Sequence, residues 1–336
     1  MIFIENEGHT NPRLNLALEE YALRNFNSQS DYLLFYINEP SIIIGRNQNT
    51  LEEINHEYVE KKHIHVVRRI SGGGAVYHDY GNLNFSFITN HDTTSLNNFK
   101  KFTEPVISAL SKIGVKAELK GRNDILVNDK KISGTAQFST GKRMVSHGTL
   151  LFDTNLEEVE NALQVKMNKI ISKGHKSVRS RVANISEYLN NPLKIEDFRA
   201  LLLKGLYEER ESFETYHLTS EEWKSVQLLK EEKYDFWDWN YGRSPKFNIQ
   251  RSKRFPVGEI DVRMFVEKGY LTELKIFGDF FGKEPLENIE NLLAGIKYDK
   301  EKISKKLNGI NIEAYFGDIP KSEFIELLYG SDEVGS

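Results

Sequence analysis

Arg68-Arg69-Ile70-Ser71-Gly72-Gly73-Gly74-Ala75-Val76-Tyr77-His78-Asp79 joins two cationic side chains to three consecutive glycines. Glycine backbone, lacking Cβ atoms, can close on a ligand and turn its N–H groups toward an anion. Arg69 can add paired N–H donors matched to phosphate oxygens. The flanks decide the architecture: residues 63–69 and 83–89 alternate or run apolar as strands do, so the glycines lie between strands and do not open a helix. Neither G-x-x-x-x-G-K-[ST] nor G-x-G-x-x-G occurs, and the residues after Gly74 are extended, which argues against a P-loop or a Rossmann turn. The competing reading is a tight inter-strand turn with two surface arginines.

Upstream, a short strand over 2–5 precedes Asn11-Pro12, a cap and first helical position, with Leu14, Leu18, Tyr21 and Ala22 on one helical face. Residues 32–37 and 41–45 read as a strand pair around Asn38-Glu39-Pro40, followed by the polar turn Arg46-Asn47-Gln48-Asn49 and a helix near 52–62. Downstream, Pro105 marks a helix start, Val106, Leu110 and Ile113 its face and Gly114 its stop, with Phe99 and Phe102 packing just ahead. Strands at 125–127, 131–133 and 144–152 form a meander turning at Asn128-Asp129 and Thr140-Gly141. From 157 to 233 the pattern is helical, with a Phe198, Leu201, Leu202 stripe and a capping box from Thr219 to Glu222.

Arg243-Ser244-Pro245 interrupts regular structure and places a domain boundary in 246–253. Beyond it, strands 259–266 and 271–277 pair around Lys268-Gly269, and helices follow near 286–293, 300–306 and 322–328 before a frayed tail at 330–336. The expected fold is therefore α+β, with a large mixed-sheet domain over 1–246 and a small C-terminal α+β domain over 247–336.

Composition narrows the function classes. The 49 acidic and 45 basic residues of this 336-residue chain give a net charge of -4, so no bulk attraction draws it to nucleic acid or an anionic membrane. The absence of cysteine excludes disulfides, thiolate zinc sites and a cysteine nucleophile. No apolar run approaches the roughly 20 residues of a membrane span, and no export signal opens the chain, which favours the cytoplasm.

A second segment can carry chemistry: Gly121-Arg122-Asn123-Asp124, then Lys130-Lys131-Ile132-Ser133-Gly134-Thr135-Ala136. A lysine held just before a small Ser-Gly-Thr-Ala turn can stabilise negative charge as it develops on phosphate or acyl phosphate; the bland alternative is a pair of solvated hairpin lysines. Asp124 can orient that lysine or a magnesium ion, or serve as an ordinary turn residue. His63 and His65 share a strand face at metal-ligand spacing but lack a third ligand. His147 begins an apolar strand, where a buried, hydrogen-bonded pocket-wall histidine is favoured over a catalytic base. Lys173-Gly174-His175-Lys176-Ser177-Val178-Arg179-Ser180-Arg181 is the strongest basic cluster, and Trp237, Trp239 and Tyr241 read as packing at a domain edge.

Taken together, the 68–79 run, Gly81-Asn82-Leu83-Asn84-Phe85, Gly121-Arg122-Asn123-Asp124, Lys131-Ile132-Ser133-Gly134 and Ser146-His147-Gly148-Thr149-Leu150-Leu151 resemble the lipoate-protein ligase A family. Asn15-Leu16-Ala17, Ile44-Gly45-Arg46-Asn47-Gln48-Asn49, Lys176-Ser177-Val178-Arg179-Ser180-Arg181 and Phe255-Pro256-Val257-Gly258 extend the resemblance over nearly the whole chain. It implies a catalytic domain of the biotin/lipoate ligase type, a small accessory domain that moves during the reaction, and ATP-dependent conversion of free lipoate to lipoyl-AMP with release of pyrophosphate. Transfer to a lysine of a lipoyl acceptor domain follows, on 2-oxo acid dehydrogenase subunits or glycine cleavage H protein. By the same resemblance, Arg69, Gly74, Ala75, Val76, Tyr77 and Lys131 hold ATP, Lys131 is the electrostatic catalyst, and Ser71, Gly72, Gly73, His147 and Lys131 meet lipoate. Asn82 and Asp124 support them. The implied cofactor is ATP with Mg2+ and no tightly bound metal, and the implied state is a monomer. Rival readings are an ATP-independent octanoyl or lipoyl carrier transferase of the same fold, disfavoured because such relatives use a cysteine, and a non-catalytic binding module.

Overall fold

The computed structural model describes residues 1–92, 94–163, 181–208, 212–241 and 247–329. Backbone contacts group the chain into two units: Met1–Ile44, Glu52–Ile70 and Ala75–Asn240 form the first, and Gly45–Leu51, Ser71–Gly74 and Tyr241–Ser336 the second. The basic cluster proposed at 173–181 lies outside the described residues apart from Arg181, as does the tail at 330–336. No helix among the described residues is long and apolar enough to cross a membrane.

The chain runs β1 (Ile2–Ile4), α1 (Pro12–Asn25), β2 (Tyr32–Ile37), β3 (Ser41–Ile44), α2 (Thr50–Glu53), α3 (His56–Lys61), β4 (His65–Arg68), β5 (Val76–His78) and β6 (Asn82–Asn90). It continues α4 (Phe99–Lys112), β7 (Glu118–Lys120), β8 (Asp124–Val127), β9 (Lys130–Ser139), β10 (Arg143–Leu151), α5 (Leu156–Ala162), α6 (Ile195–Leu206), β11 (Thr215–Tyr216), α7 (Ser220–Leu229) and α8 (Trp237–Asn240). An eight-stranded mixed sheet in the order β11-β1-β2-β6-β10-β9-β8-β7 dominates the first unit. Beside it stands a three-stranded sheet, β4-β3-β5.

Strand alternation sorts the large sheet into two faces. Leu33, Phe35, Leu83, Phe85, Phe87, Met144 and Leu150 fall on one, where they pack with Val106 and Leu110 of α4 and Phe198 and Leu202 of α6. Leu34, Tyr36, Ile88 and Val145 fall on the other, with Leu18 and Ala22 of α1 and Ile43 and Val67 of the small sheet. Thr135, Gln137 and Ser146 are buried polar residues on the first face, and the second face carries a longer polar run. Asn82, Asn84 and Ser86 of β6 and His147 of β10 are all buried there.

Local signals form as their chemistry dictates. Asn11 caps α1 by accepting from Arg13 N and Leu14 N with Pro12 at the first position. Asn128 and Asp129, at φ 48° and 63°, make the left-handed turn between β8 and β9. Thr219 and Glu222 close a capping box on α7.

Other expectations are corrected. Strands 32–37 and 41–45 do not pair: β2 lies between β1 and β6, whereas β3 pairs with β4 and β5. Residues 38–40 instead carry the chain from one sheet to the other, tied by Glu39 N to Thr10 O at 2.9 Å and by His65 N to Pro40 O at 3.0 Å. The helix expected over 52–62 is broken where Ile54 bridges Leu163 and Asn55 caps α3. Pro105 lies inside α4, not at its start; Asn98 caps it, so Phe99 and Phe102 belong to its buried face. Ser133-Gly134-Thr135-Ala136 is strand, part of β9, not a turn. His63 precedes β4 at φ 55°, so it does not share a strand face with His65.

The second unit contains an antiparallel sheet of β12 (Ile249–Phe255), β13 (Gly258–Glu267), β14 (Tyr270–Gly278) and β15 (Ile296–Lys297). Lys268 and Gly269, both at positive φ, turn β13 into β14. Helices α9 (Leu286–Leu293), α10 (Lys300–Lys306), α11 (Ile312–Phe316) and α12 (Lys321–Tyr329) supply Ile289, Leu293, Ile303, Phe316, Phe324 and Leu328 to its core.

Candidate active site

The polar face of the large sheet organises the site. Gly134 in β9 lies on that face by alternation with Ala136, which pairs with His147. The Lys131 side chain lies over Gly134: a Cβ there would come 2.9 Å from the Lys131 ammonium and 3.1 Å from Cε. Glycine is thus needed for close approach. Lys131 Nζ pairs with Asp124 Oδ1 at 2.8 Å, both side chains more than a third exposed. The Lys131 backbone is pinned from behind, its carbonyl accepting from Ala183 N at 3.0 Å and its strand bridging Val182. A rigid backbone with a reachable ammonium can place positive charge where a phosphoryl or acyl oxygen gains negative charge.

The same face of the sheet carries a buried carboxylate. Glu19 of α1 accepts from Ser86 Oγ and is 2.8 Å from His147 Nδ1. Burial, with Glu19 adding to it, holds the Tyr36 phenol well above its ordinary pKa, so Tyr36 stays protonated. Sequence reading did not single out Glu19, Ser86 or Tyr36. A signal existed: Glu19 follows Asn15 by one helical turn on a helix buried nearly all round, and Asn82-Leu83-Asn84-Phe85-Ser86-Phe87 alternates polar with apolar on a strand buried on both faces.

The small sheet contributes Arg69, Val76 and Tyr77. Arg69 N donates to Ile44 O at 2.9 Å and its guanidinium to Ile43 O at 3.0 Å. Burial draws the guanidinium pKa down to about 10, against the opposing pull of Tyr36 and Glu19. Tyr77 alternates with Val76 and His78 and so points to the opposite face, where burial raises its phenol pKa. Arg68 is 1% exposed: Nε donates to Trp239 O at 2.8 Å and Nη2 to Asn240 O at 3.2 Å, while Trp239 Nε1 donates to Arg68 O at 2.7 Å. The surface-arginine reading therefore fails for both residues, and Trp239 is a packing element as expected.

Arg69, Ala75, Val76, Tyr77, Asn82, Asp124, Lys131 and His147 belong to the first unit; Ser71, Gly72, Gly73 and Gly74 belong to the second. Within that second unit Arg46 N donates to Ser71 O at 2.8 Å, and a Cβ on Gly45 would lie 1.9 Å from Gly73 O. The glycine run is thus locked to the Gly45–Leu51 segment by backbone approach. Asn82, fully buried, donates to Asn84 Oδ1 at 2.9 Å. Among the described residues no cluster of three or more His, Cys, Asp or Glu side chains could hold a metal.

The chain thus combines an α+β unit with a large mixed sheet, a reachable lysine and a buried polar face with a small sheet-and-helix unit. The Lipoyl protein ligase A/B catalytic domain family matches residues 11–207, and the Bacterial lipoate protein ligase C-terminus family matches residues 244–328. The chain belongs to the lipoyl protein ligase A/B family and is an enzyme of the lipoate-protein ligase class. It is 55% identical over 331 residues to lipoate-protein ligase LplJ of Bacillus subtilis, covering 98% of this chain and 100% of that one. The structure is similar to that of P. falciparum LipL1 in complex with lipoate, at a TM-score of 0.74 and 28% identity over 97% of both chains. It is also similar to lipoate-protein ligase A bound with ATP, at a TM-score of 0.60 and 32% identity over 69% of this chain and 94% of that one.

Proposed function

We propose that this enzyme joins ATP to free lipoate and passes the lipoyl group to a lysine of a lipoyl acceptor domain. A lipoate carboxylate oxygen attacks the α-phosphorus of ATP, the bond to pyrophosphate breaks, and lipoyl-AMP forms. The acceptor amine then attacks the acyl carbon and AMP departs. Activation is required because a carboxylate is a poor electrophile, whereas AMP leaves readily from a mixed anhydride.

The observation that carries this reading is Lys131, held by its backbone on the polar face of the large sheet with its ammonium paired to Asp124. Lys131 acts as a fixed positive charge toward the carboxyl and α-phosphoryl oxygens in both steps. A covalent lipoyl amide on Lys131 would be too stable to pass on. Asn82 and Asp124 support Lys131, and His147 lines the lipoyl end. Arg69, Gly74, Ala75, Val76 and Tyr77 serve ATP, Tyr77 through its backbone given the direction of its ring; Ser71, Gly72 and Gly73 serve lipoate. Magnesium accompanies the ATP phosphates, supplying charge screening there.

In this reading residues 1–246 are catalytic and 247–336 accessory. The acceptors are lipoyl domains of 2-oxo acid dehydrogenase subunits or glycine cleavage H protein, met in the cytoplasm. The test is lipoate-dependent exchange of labelled pyrophosphate into ATP with magnesium present. Exchange that needs lipoate is expected; folded protein showing none overturns the proposal.

A further inference from the structure

His78 of β5 ends a chain of hydrogen bonds that fixes where its proton sits. Asn15 Nδ2 donates to the backbone carbonyls of His9 and Ile37, at 2.9 and 3.4 Å, so its amide orientation is set by groups that can only accept. The same nitrogen donates to Asn38 Oδ1 at 2.9 Å, which fixes Asn38 in turn. Asn38 Nδ2 must therefore donate to His78 Nδ1 across 3.0 Å. A neutral imidazole that accepts at Nδ1 carries its hydrogen on Nε2.

That Nε2–H is buried, on a residue 3% exposed, and has no partner among the described residues. A buried donor left unmet is costly, and most such groups in folded proteins are paired. Burial and the neighbouring charges of Arg69 and His147 push the imidazole pKa down to about 3, so the ring stays neutral. By strand alternation His78 shares the inner face of the small sheet with Val76 and lies opposite Ser41, whose hydroxyl is also buried without a partner among the described residues. That face packs toward the polar face of the large sheet that carries His147.

We propose that His78 is a positioning residue whose Nε2–H donates to an anionic oxygen of the bound substrates, either the lipoate carboxylate or the ATP phosphoryl group it joins. This rests on the reading of the site under Proposed function. A neutral donor adjacent to the Arg69 cation holds an oxygen in place without competing as an acid. It adds direction where Arg69 and Lys131 add charge.

The test is long-range proton–nitrogen NMR on the full-length protein labelled with 15N-histidine, with binding of lipoate alone and of magnesium-ATP alone followed separately by calorimetry. The expected spectrum shows His78 as the Nε2–H tautomer, unchanged between pH 8 and pH 5.5. Its Nε2 proton should move downfield with one of the two ligands, which identifies the oxygen. His78→Phe should then raise KM for that ligand about tenfold with kcat less affected, and His78→Gln, which keeps an N–H donor, should recover part of the loss. An Nδ1–H tautomer, titration in this pH range, or an unmoved Nε2 proton while both ligands bind would overturn the proposal. Failure of pyrophosphate exchange in the unaltered enzyme is a different result, and would remove the ligase reading itself.

Discussion

Lys131 and Arg68 are both cations from the two stretches that stand out in the sequence, and the fold puts them to opposite uses. The Lys131 side chain is 37% exposed and pairs with the half-exposed carboxylate of Asp124. Arg68 is 1% exposed, and its guanidinium is spent on the carbonyls of Trp239 and Asn240. One charge is left reachable on a pinned backbone; the other is consumed in joining β4 to α8. A cation available to a substrate must remain within reach, and the part-exposed pair of Lys131 with Asp124 leaves it so. A cation in the interior must be fully bonded to persist.

The comparison breaks most sharply at Lys131. Lys131→Ala removes the charge and leaves the β9 backbone bond to Ala183 in place. Loss of one such stabilising group from a reacting centre costs about a hundred- to a thousandfold in rate. Lipoate-dependent pyrophosphate exchange should fall by at least about a hundredfold while the thermal midpoint stays within about 2 °C, because an ion pair between half-exposed groups contributes at most about 1 kcal/mol. Near-normal exchange by this variant would remove Lys131 from the chemistry.

Arg68→Met should do the reverse. It deletes the buried donors to Trp239 O and Asn240 O but keeps the Arg68 backbone N–H to Asn240 Oδ1 at 2.9 Å. Each bond from a charged donor is worth about 1.5–3 kcal/mol, and methionine recovers part of the packing, so a loss of about 3 kcal/mol is expected in urea unfolding. Exchange per folded molecule should change less than about threefold. A variant as stable as the parent would show that the β4–α8 junction does not depend on this side chain.

The sequence was readable where the deciding interaction is local. The Asn11 cap, the Asn128-Asp129 turn, the Thr219 to Glu222 capping box and the Lys268-Gly269 turn each close within a few residues, so the residue types carry the whole signal. The partners of β2 and β3 were not readable, because two apolar strands separated by 38–40 suit a hairpin as well as a corner between sheets; the choice is made by β6 and β4, far along the chain. Glu19 was hidden for the same reason: a glutamate in a helix reads as solvent-facing until Ser86 and His147 are brought to it. The motif residues were visible only as a set, through their resemblance to a known family. Their geometry depends on pairings such as Gly45 with Gly73, which no local pattern announces.

The finest test of the contrast changes neither cation but the surface under one of them. Gly134→Ala introduces a methyl 2.9 Å from the Lys131 ammonium and 3.8 Å from Asp124 Oδ1, in a strand whose backbone tolerates alanine because Gly134 is not at positive φ. The methyl meets the far end of a flexible side chain, so Lys131 should swing away at little cost to folding. Displacing a catalytic charge by about 1 Å can cost up to about a hundredfold. Because the ammonium can partly readjust, a loss of about tenfold in exchange is expected, with the unfolding midpoint in urea nearly unchanged. Restoring exchange by pairing Gly134→Ala with a change that recentres the ammonium would confirm that position, and not charge alone, is what β9 supplies. An alanine variant with full activity would mean that the ammonium does its work from somewhere other than its place over Gly134.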